Sequence, residues 1–265
     1  MRLIDIGINL MNPAYDRDRD EVVKNAAAAG VTPLVITGSG ERSSIAAALY
    51  ASAYNSLQPG ALYATAGVHP HEAKNCGSGT IDFLKQLVLE KGARAIGECG
   101  LDYNRDFSPR DVQRKWFTKQ VELAAELSLP LFLHERDAFA DFSAILGGYI
   151  KAVPAAVVHC FTGTAEELER YLSLGCYIGV TGWICDERRG KHLRELVKII
   201  PKDRLMLETD GPYLLPRDLG VKVRNRRNEP RFLPHIAETV ARHLGKDPAK
   251  LAKETFGNAK KFFGI

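Results

Sequence analysis

Eight short apolar runs, each closed by a polar residue and most followed by an amphipathic stretch, repeat along the 265 residues. The runs fall at 3–8, 33–37, 62–67, 94–97, 131–134, 155–159, 177–180 and 205–209. Helical patterns at 18–29, 41–52, 81–91, 111–126, 165–174 and 192–199 lie between them, and two more at 233–244 and 249–262 follow. Near-continuous Val, Ile, Leu and Ala mark strands covered on both faces, and strand–helix alternation marks a parallel sheet. The pattern predicts a single (β/α)₈ TIM barrel over residues 1–265. A doubly wound open sheet alternates in the same way, but it gathers its site at one switch point. Here Asn9, Thr37, His69, Glu98, His134, His159 and Asp210 each close a different run. In a barrel all of them converge at one mouth.

Local signals fit that organisation. Ser108-Pro109 offers a helix cap followed by proline, Thr164 precedes Glu166 and Glu167, and Gly30 and Gly175 stand where helices should stop. A hydrophobic fraction of 45% and a charged fraction of 26% are ordinary for a soluble globular chain. The net charge of +4 permits a polyanionic partner without identifying one. Five cysteines without a Cys-x-x-Cys pair argue against a disulfide framework. The N-terminus meets Arg2 and Asp5 at once, and no stretch has the roughly 18 apolar residues of a membrane span, so the expectation is a cytoplasmic protein with no membrane partner.

The chemistry-bearing residues sit where the runs end. Glu98 leaves its run between Gly97 and a Cys99-Gly100 pair, which predicts open space for ions and substrate beside its carboxylate. Leu131 to His134 and Ala156 to His159 repeat one design, apolar run then histidine, and neutral imidazole suits zinc, manganese, iron or nickel. With Glu98 they read as a metal site. Asp210 closes the eighth run, where a carboxylate can bind metal, take a proton from water, or cap a helix before Gly211-Pro212. His69 either lines the site or hydrogen-bonds within it, because Pro70 interrupts its His-x-His pairing with His71. Asp102 either orients a neighbour or caps its loop, and Cys160 reads as a small buried residue.

The stretch after Asp210 runs about 20 residues before the next helix, a length that usually carries function. It holds Arg217, Lys222, Arg224, Arg226 and Arg227 against Asp218 and Glu229, while Arg188, Arg189, Arg105 and Arg136 follow other runs. All would rim the mouth and favour a phosphate-bearing substrate over a merely solvated face. Tyr103, Phe161, Trp183 and Tyr213 share these loops and can stack bases.

These residues resemble the TatD-type metal-dependent deoxyribonucleases. The likeness rests on Gly-Val-His-Pro-His at 67–71, Ala-Ile-Gly-Glu-Cys-Gly-Leu-Asp at 95–102, Leu-His-Glu-Arg-Asp at 133–137, Val-His-Cys-Phe-Thr-Gly at 158–163, Leu-Glu-Thr-Asp at 207–210 and Arg-Asn-Glu-Pro at 227–230. The resemblance implies a TIM barrel and divalent-metal-dependent phosphodiester hydrolysis, 3′ to 5′ on single-stranded DNA and RNA. It implies ligands Glu98, His134 and His159 with Asp210 as ligand and catalytic aspartate, and a Mg²⁺ or Mn²⁺ ion, with Zn²⁺ also compatible. His69, Arg136, Arg224, Arg226, Arg227, Tyr103 and Trp183 are the expected substrate contacts, and a monomer is expected. Where the wider family opens with His-x-His, this chain has Gly7 and Asn9, which implies a weakened second metal position. An amidohydrolase or esterase acting on a cyclic amide, lactone or aminoacyl-tRNA ester is the alternative enzyme, and a non-enzymatic scaffold the alternative without chemistry.

Overall fold

The computed structural model describes residues 1–265, the side chain of Arg224 excepted. Eight strands run in order: β1 Leu3–Ile8, β2 Val31–Ile36, β3 Leu62–Ala64, β4 Ile96–Asp102, β5 Leu131–Arg136, β6 Ala156–Val158, β7 Tyr177–Val180 and β8 Leu205–Leu207. Helices separate them: α1 Arg19–Ala28, α2 Glu41–Asn55, α3 Thr80–Lys91, α4 Arg110–Leu127, α5 Phe139–Tyr149, α6 Ala165–Ser173, α7 Lys191–Leu196, α8 Leu233–Leu244 and α9 Pro248–Phe263. β1 to β3 pair in order, as do β4 to β8, and every pair is parallel. Backbone hydrogen bonds cross both remaining seams. Gly97 N–H donates to Ala66 O and Asp210 N–H to Gly7 O, each at 2.9 Å, so the ring closes as the expected barrel.

Successive strand residues point to opposite faces, which divides the core in two. Ile4, Ile6, Val35, Ala95, Phe132 and Met206 fill the barrel, and Phe262 and Phe263 of α9 join that cluster. The alternate residues, Leu34, Ile36, Leu131 and Leu133 among them, pack outward with helix residues such as Val22, Val23, Ala47 and Phe117. Burial on both faces explains why the runs lack polar alternation. At the start of α6 the Thr164 hydroxyl accepts from Glu167 N–H and the Glu167 carboxylate accepts from Thr164 N–H, a reciprocal cap.

Several boundaries differ from the sequence reading. β4 and β5 run on to Asp102 and Arg136, because the pairing continues through Gly100 with His134 and Asp102 with Arg136. β3 stops at Ala64, and the chain continues to β4's flank through a single bridge at Ala66. Ser108 does not cap α4. Its hydroxyl instead accepts from Lys74 N–H (3.1 Å) and donates to His71 O (2.9 Å), holding the turn Pro70–Asn75 in place.

The β8–β1 seam has a buried polar stitch. Asp5 accepts N–H bonds from Thr209 (2.9 Å) and Gly7 (3.3 Å) and a hydroxyl bond from Thr209. Asp5→Ala would leave the Thr209 donors buried without a partner, which should cost about 2–4 kcal/mol in urea unfolding. An unchanged midpoint would mean that the backbone bonds alone hold the seam.

Candidate active site

A cavity of about 630 Å³ opens where the strands end, and Glu98, His134, His159, His69 and Asp210 line it. Glu98 enters from β4. Gly97 before it has φ +140°, and a Cβ there would lie 2.1 Å from Phe132 O of β5. The glycine is therefore needed for the approach of β4 to β5, not for room beside the carboxylate as the sequence had predicted.

One oxygen of Glu98 is the focus of the site. Its Oε1 lies 2.8 Å from His159 Nε2, 3.1 Å from His134 Nδ1 and 3.4 Å from His69 Nε2. Two of the rings have a second carboxylate behind them. His134 Nε2 is 3.3 Å from Asp102 Oδ2, and His159 Nδ1 is 3.4 Å from Glu208 Oε2. Such backing fixes the ring and the tautomer, and turns the other nitrogen toward whatever occupies the centre. Asp102 also meets His71 Nε2 at 2.7 Å and accepts N–H bonds from Asn104 and Arg105, so it orients neighbours and closes its loop at once.

Glu208 is wholly buried and accepts from Cys160 N–H. Its carboxylate occupies the space beside Gly7, where a Cβ would come within 2.5 Å of Oε2. Any side chain at position 7 would push Glu208 off His159.

His69 differs from the other two rings. Its Nδ1 accepts the His71 N–H (3.1 Å), so the neutral ring carries its proton on Nε2, which faces Glu98. Burial pushes this imidazole down to about 4 despite the neighbouring carboxylate, which keeps it neutral. As placed, it is a hydrogen-bond donor into the cavity. Asp210 has its Oδ1 bonded to Asn9 Nδ2 at 2.9 Å. Burial, with Glu98 and Glu208 adding repulsion, pushes its carboxyl up to about 7.

Burial alone would raise Glu98, but His69, His159 and His134 together outweigh it and hold the carboxyl well below its usual range. Burial alone would lower His159; the carboxylates of Glu98 and Glu208 outweigh it and raise the imidazole. A divalent cation among these groups would take over the role of the histidine protons. The donor set fits one: His159 Nε2 and His134 Nδ1 converge on the Glu98 carboxylate oxygen at 2.8 and 3.1 Å, two imidazole nitrogens and a carboxylate facing one point.

The family model for TatD-related DNases matches residues 4–264. The chain belongs to the TatD-related DNase family. It is 50% identical to the 3′-5′ ssDNA/RNA exonuclease TatD of Rahnella sp. (strain Y9602), over 99% of this chain and 98% of that protein. Against the protein of the same name from Escherichia coli K12 it is 47% identical, over 99% of each. Among solved structures, YJJV, a TatD homologue from Escherichia coli K12, superposes with a TM-score of 0.90 at 26% identity, covering 100% of this chain and 98% of that one. A TatD-family hydrolase from Entamoeba histolytica superposes with a TM-score of 0.88 at 28% identity, covering 99% and 98%.

In this TatD-family chain the cavity also gathers Arg136 and Trp183, with Asn9 and Tyr213. Arg136 donates to the Thr162 hydroxyl at 2.7 Å. Other expected contacts lie elsewhere. Tyr103 bonds through its hydroxyl to Asp141 (2.6 Å) and Arg114 (3.1 Å), with Arg110 over its ring, and does not line the cavity. Arg227 forks onto Asp18 at 2.8 and 2.7 Å and also meets Glu229 (2.8 Å), so its charge is already paired. Phe161 is buried against Tyr171. Arg226 lines two neighbouring clefts, and the Arg224 side chain lies outside the described residues. Sequence reasoning missed Glu208 and the exposed Phe107, which lines the cavity edge-on to His71. For Glu208 a signal existed: it stands two residues before Asp210, and side chains two apart on an extended chain share a face.

Proposed function

We propose that this chain is a divalent-metal-dependent exonuclease that shortens single-stranded DNA and RNA from the 3′ end, with residues 1–265 as one barrel domain. The observation that carries the reading is the single Glu98 oxygen ringed by three imidazole nitrogens, two of them on rings backed by buried carboxylates, beside Asp210. Relatives 47–50% identical over nearly their whole length bear that activity in their names, which supports the substrate class. Among the described residues no helix is long and apolar enough to cross a membrane.

Glu98, His134 and His159 would hold the ion, with Asp102 and Glu208 fixing the two histidines. A bound divalent cation supplies Lewis-acid polarisation of a phosphoryl oxygen and makes water a stronger acid. Asp210 orients the attacking water and takes its proton, with Asn9 holding the carboxylate in position. His69 donates a hydrogen bond from Nε2–H to a phosphoryl oxygen, and Arg136 offsets charge that develops as the water oxygen bonds to phosphorus. The ester bond breaks, and the departing sugar oxygen takes up the proton that Asp210 removed from water. Trp183, Phe107 and Tyr213 offer faces for the terminal base. A cavity of about 630 Å³ suits one nucleotide at a strand end and not a continuous duplex.

The imidazole-rich set favours Mn²⁺ over Mg²⁺, which prefers oxygen ligands and retains its waters. Chelator-stripped protein should leave a 3′-labelled single strand intact. Restoring Mn²⁺, and less effectively Mg²⁺, should release the label as a mononucleotide from both DNA and RNA. Undiminished cleavage in chelator, or internal fragments that still carry the label, would refute the reading.

A further inference from the structure

Away from the mouth, three side chains distant in sequence meet. Cys185 ends the short turn Gly182–Cys185 after β7, Asp218 lies in the stretch between β8 and α8, and His235 is in the first turn of α8. Each offers one ligand atom within 4.8 Å of the other two, and His235 Nε2 is 2.6 Å from Asp218 Oδ1. Cys185 is wholly buried, His235 half-buried and Asp218 exposed, so the group reaches from the core to solvent.

We propose that Cys185, Asp218 and His235 form a second metal site, selective for Zn²⁺ and separate from the barrel mouth. The donor chemistry decides the ion. A thiolate, an imidazole and a carboxylate are the ligands zinc takes in tetrahedral sites, whereas Mg²⁺ and Ca²⁺ take oxygen alone. Three protein ligands leave the fourth position to water and to an approach from the Asp218 side. The thiol proton leaves to solvent as sulfur binds the ion, so affinity rises with pH.

Position gives the site a purpose. Arg217, next to Asp218, lines a cleft beside the mouth together with Arg226, Trp183 and Tyr213. Trp183 belongs to the turn that ends in Cys185. A zinc ion bridging Asp218 to Cys185 and His235 would fasten the basic stretch to the turn carrying that tryptophan and to α8. It would thereby order one wall of the cleft without touching the reacting atoms. The site does not depend on the nuclease reading.

The test uses Co²⁺ as a spectroscopic probe in chelator-stripped protein carrying Glu98→Ala and His134→Ala, which removes two metal-binding side chains from the mouth. One equivalent should bind with thiolate-to-cobalt charge-transfer absorption, and Zn²⁺ should displace it. Adding Cys185→Ser should abolish the absorption, and adding His235→Ala should weaken binding at least about tenfold, with circular dichroism unchanged. Zinc should also slow proteolysis within residues 211–229, and should not do so in the His235→Ala protein. No absorption in the double variant overturns the site. Persistence of the absorption with Cys185→Ser does so too, and would place the thiolate on another of the free cysteines. If Cys185→Ser disturbs the core, the half-buried His235→Ala decides alone: unchanged cobalt affinity in that protein rejects the proposal.

Discussion

Glu98→Ala is expected to lower chelator-sensitive nuclease activity roughly a thousandfold or more, because it removes the one carboxylate on which all three imidazoles converge. The barrel should persist. The position holds its strand through a backbone bond, Glu98 N–H to Gly38 O at 2.6 Å, which the substitution leaves intact. His134 and His159 would keep their buried partners Asp102 and Glu208 and would still present nitrogens, so weak metal binding should survive without turnover. Single-turnover rates across a Mn²⁺ titration, with circular dichroism as the fold control, measure this. Activity within a few-fold of wild type would show that the ion is held elsewhere.

Asp210→Asn should separate proton handling from metal holding. Asparagine keeps the shape and one oxygen but cannot take a proton as a carboxylate does, so turnover should fall by about a hundredfold or more while metal affinity is largely kept. The Asn9 contact bears on this. Asn9 donates its amide hydrogen to Asp210 Oδ1 at 2.9 Å, and an asparagine at 210 can still accept that bond through its own oxygen. A sharp fall in metal affinity with partial rescue by excess ion would instead make Asp210 chiefly a ligand. Near-normal turnover would remove it from the reaction.

The barrel was legible because strands buried on both faces repeat eight times, and no partner outside the chain is needed to read that. Strand ends were less so. His134 and Glu98 look like terminators in sequence, yet β5 and β4 run on past them, since polar groups at a barrel mouth find buried partners and need not face water. α5 escaped notice for a related reason: an apolar run containing Gly147 and Gly148 carries no clear stripe, and packing on the barrel overrides the glycines. Glu208 was hidden by its neighbour. Asp210 accounted for the chemistry of the Leu-Glu-Thr-Asp motif, and only the approach of Glu208 to His159 in space gives it a separate task. Tyr103 and Arg227 show the opposite limit, because residue type and loop position suggested the mouth while their partners, Asp141 in one case and Asp18 in the other, hold them elsewhere.

Phe262 and Phe263 sit in the cluster that fills the barrel, Phe262 against Tyr177 at the start of β7 and so at the end opposite the mouth, and Phe132 and Met206 belong to the same packed cluster. The chamber therefore has one door. A strand cannot be threaded through it as a thread passes a bead, and whatever enters must leave by the way it came. For an enzyme that trims a strand one nucleotide at a time, the severed nucleotide stands between the centre and the next 3′ end until it has gone. Exit and entry then take turns at a shared threshold, so the pace of trimming depends on how quickly the small product clears as well as on how quickly the bond breaks.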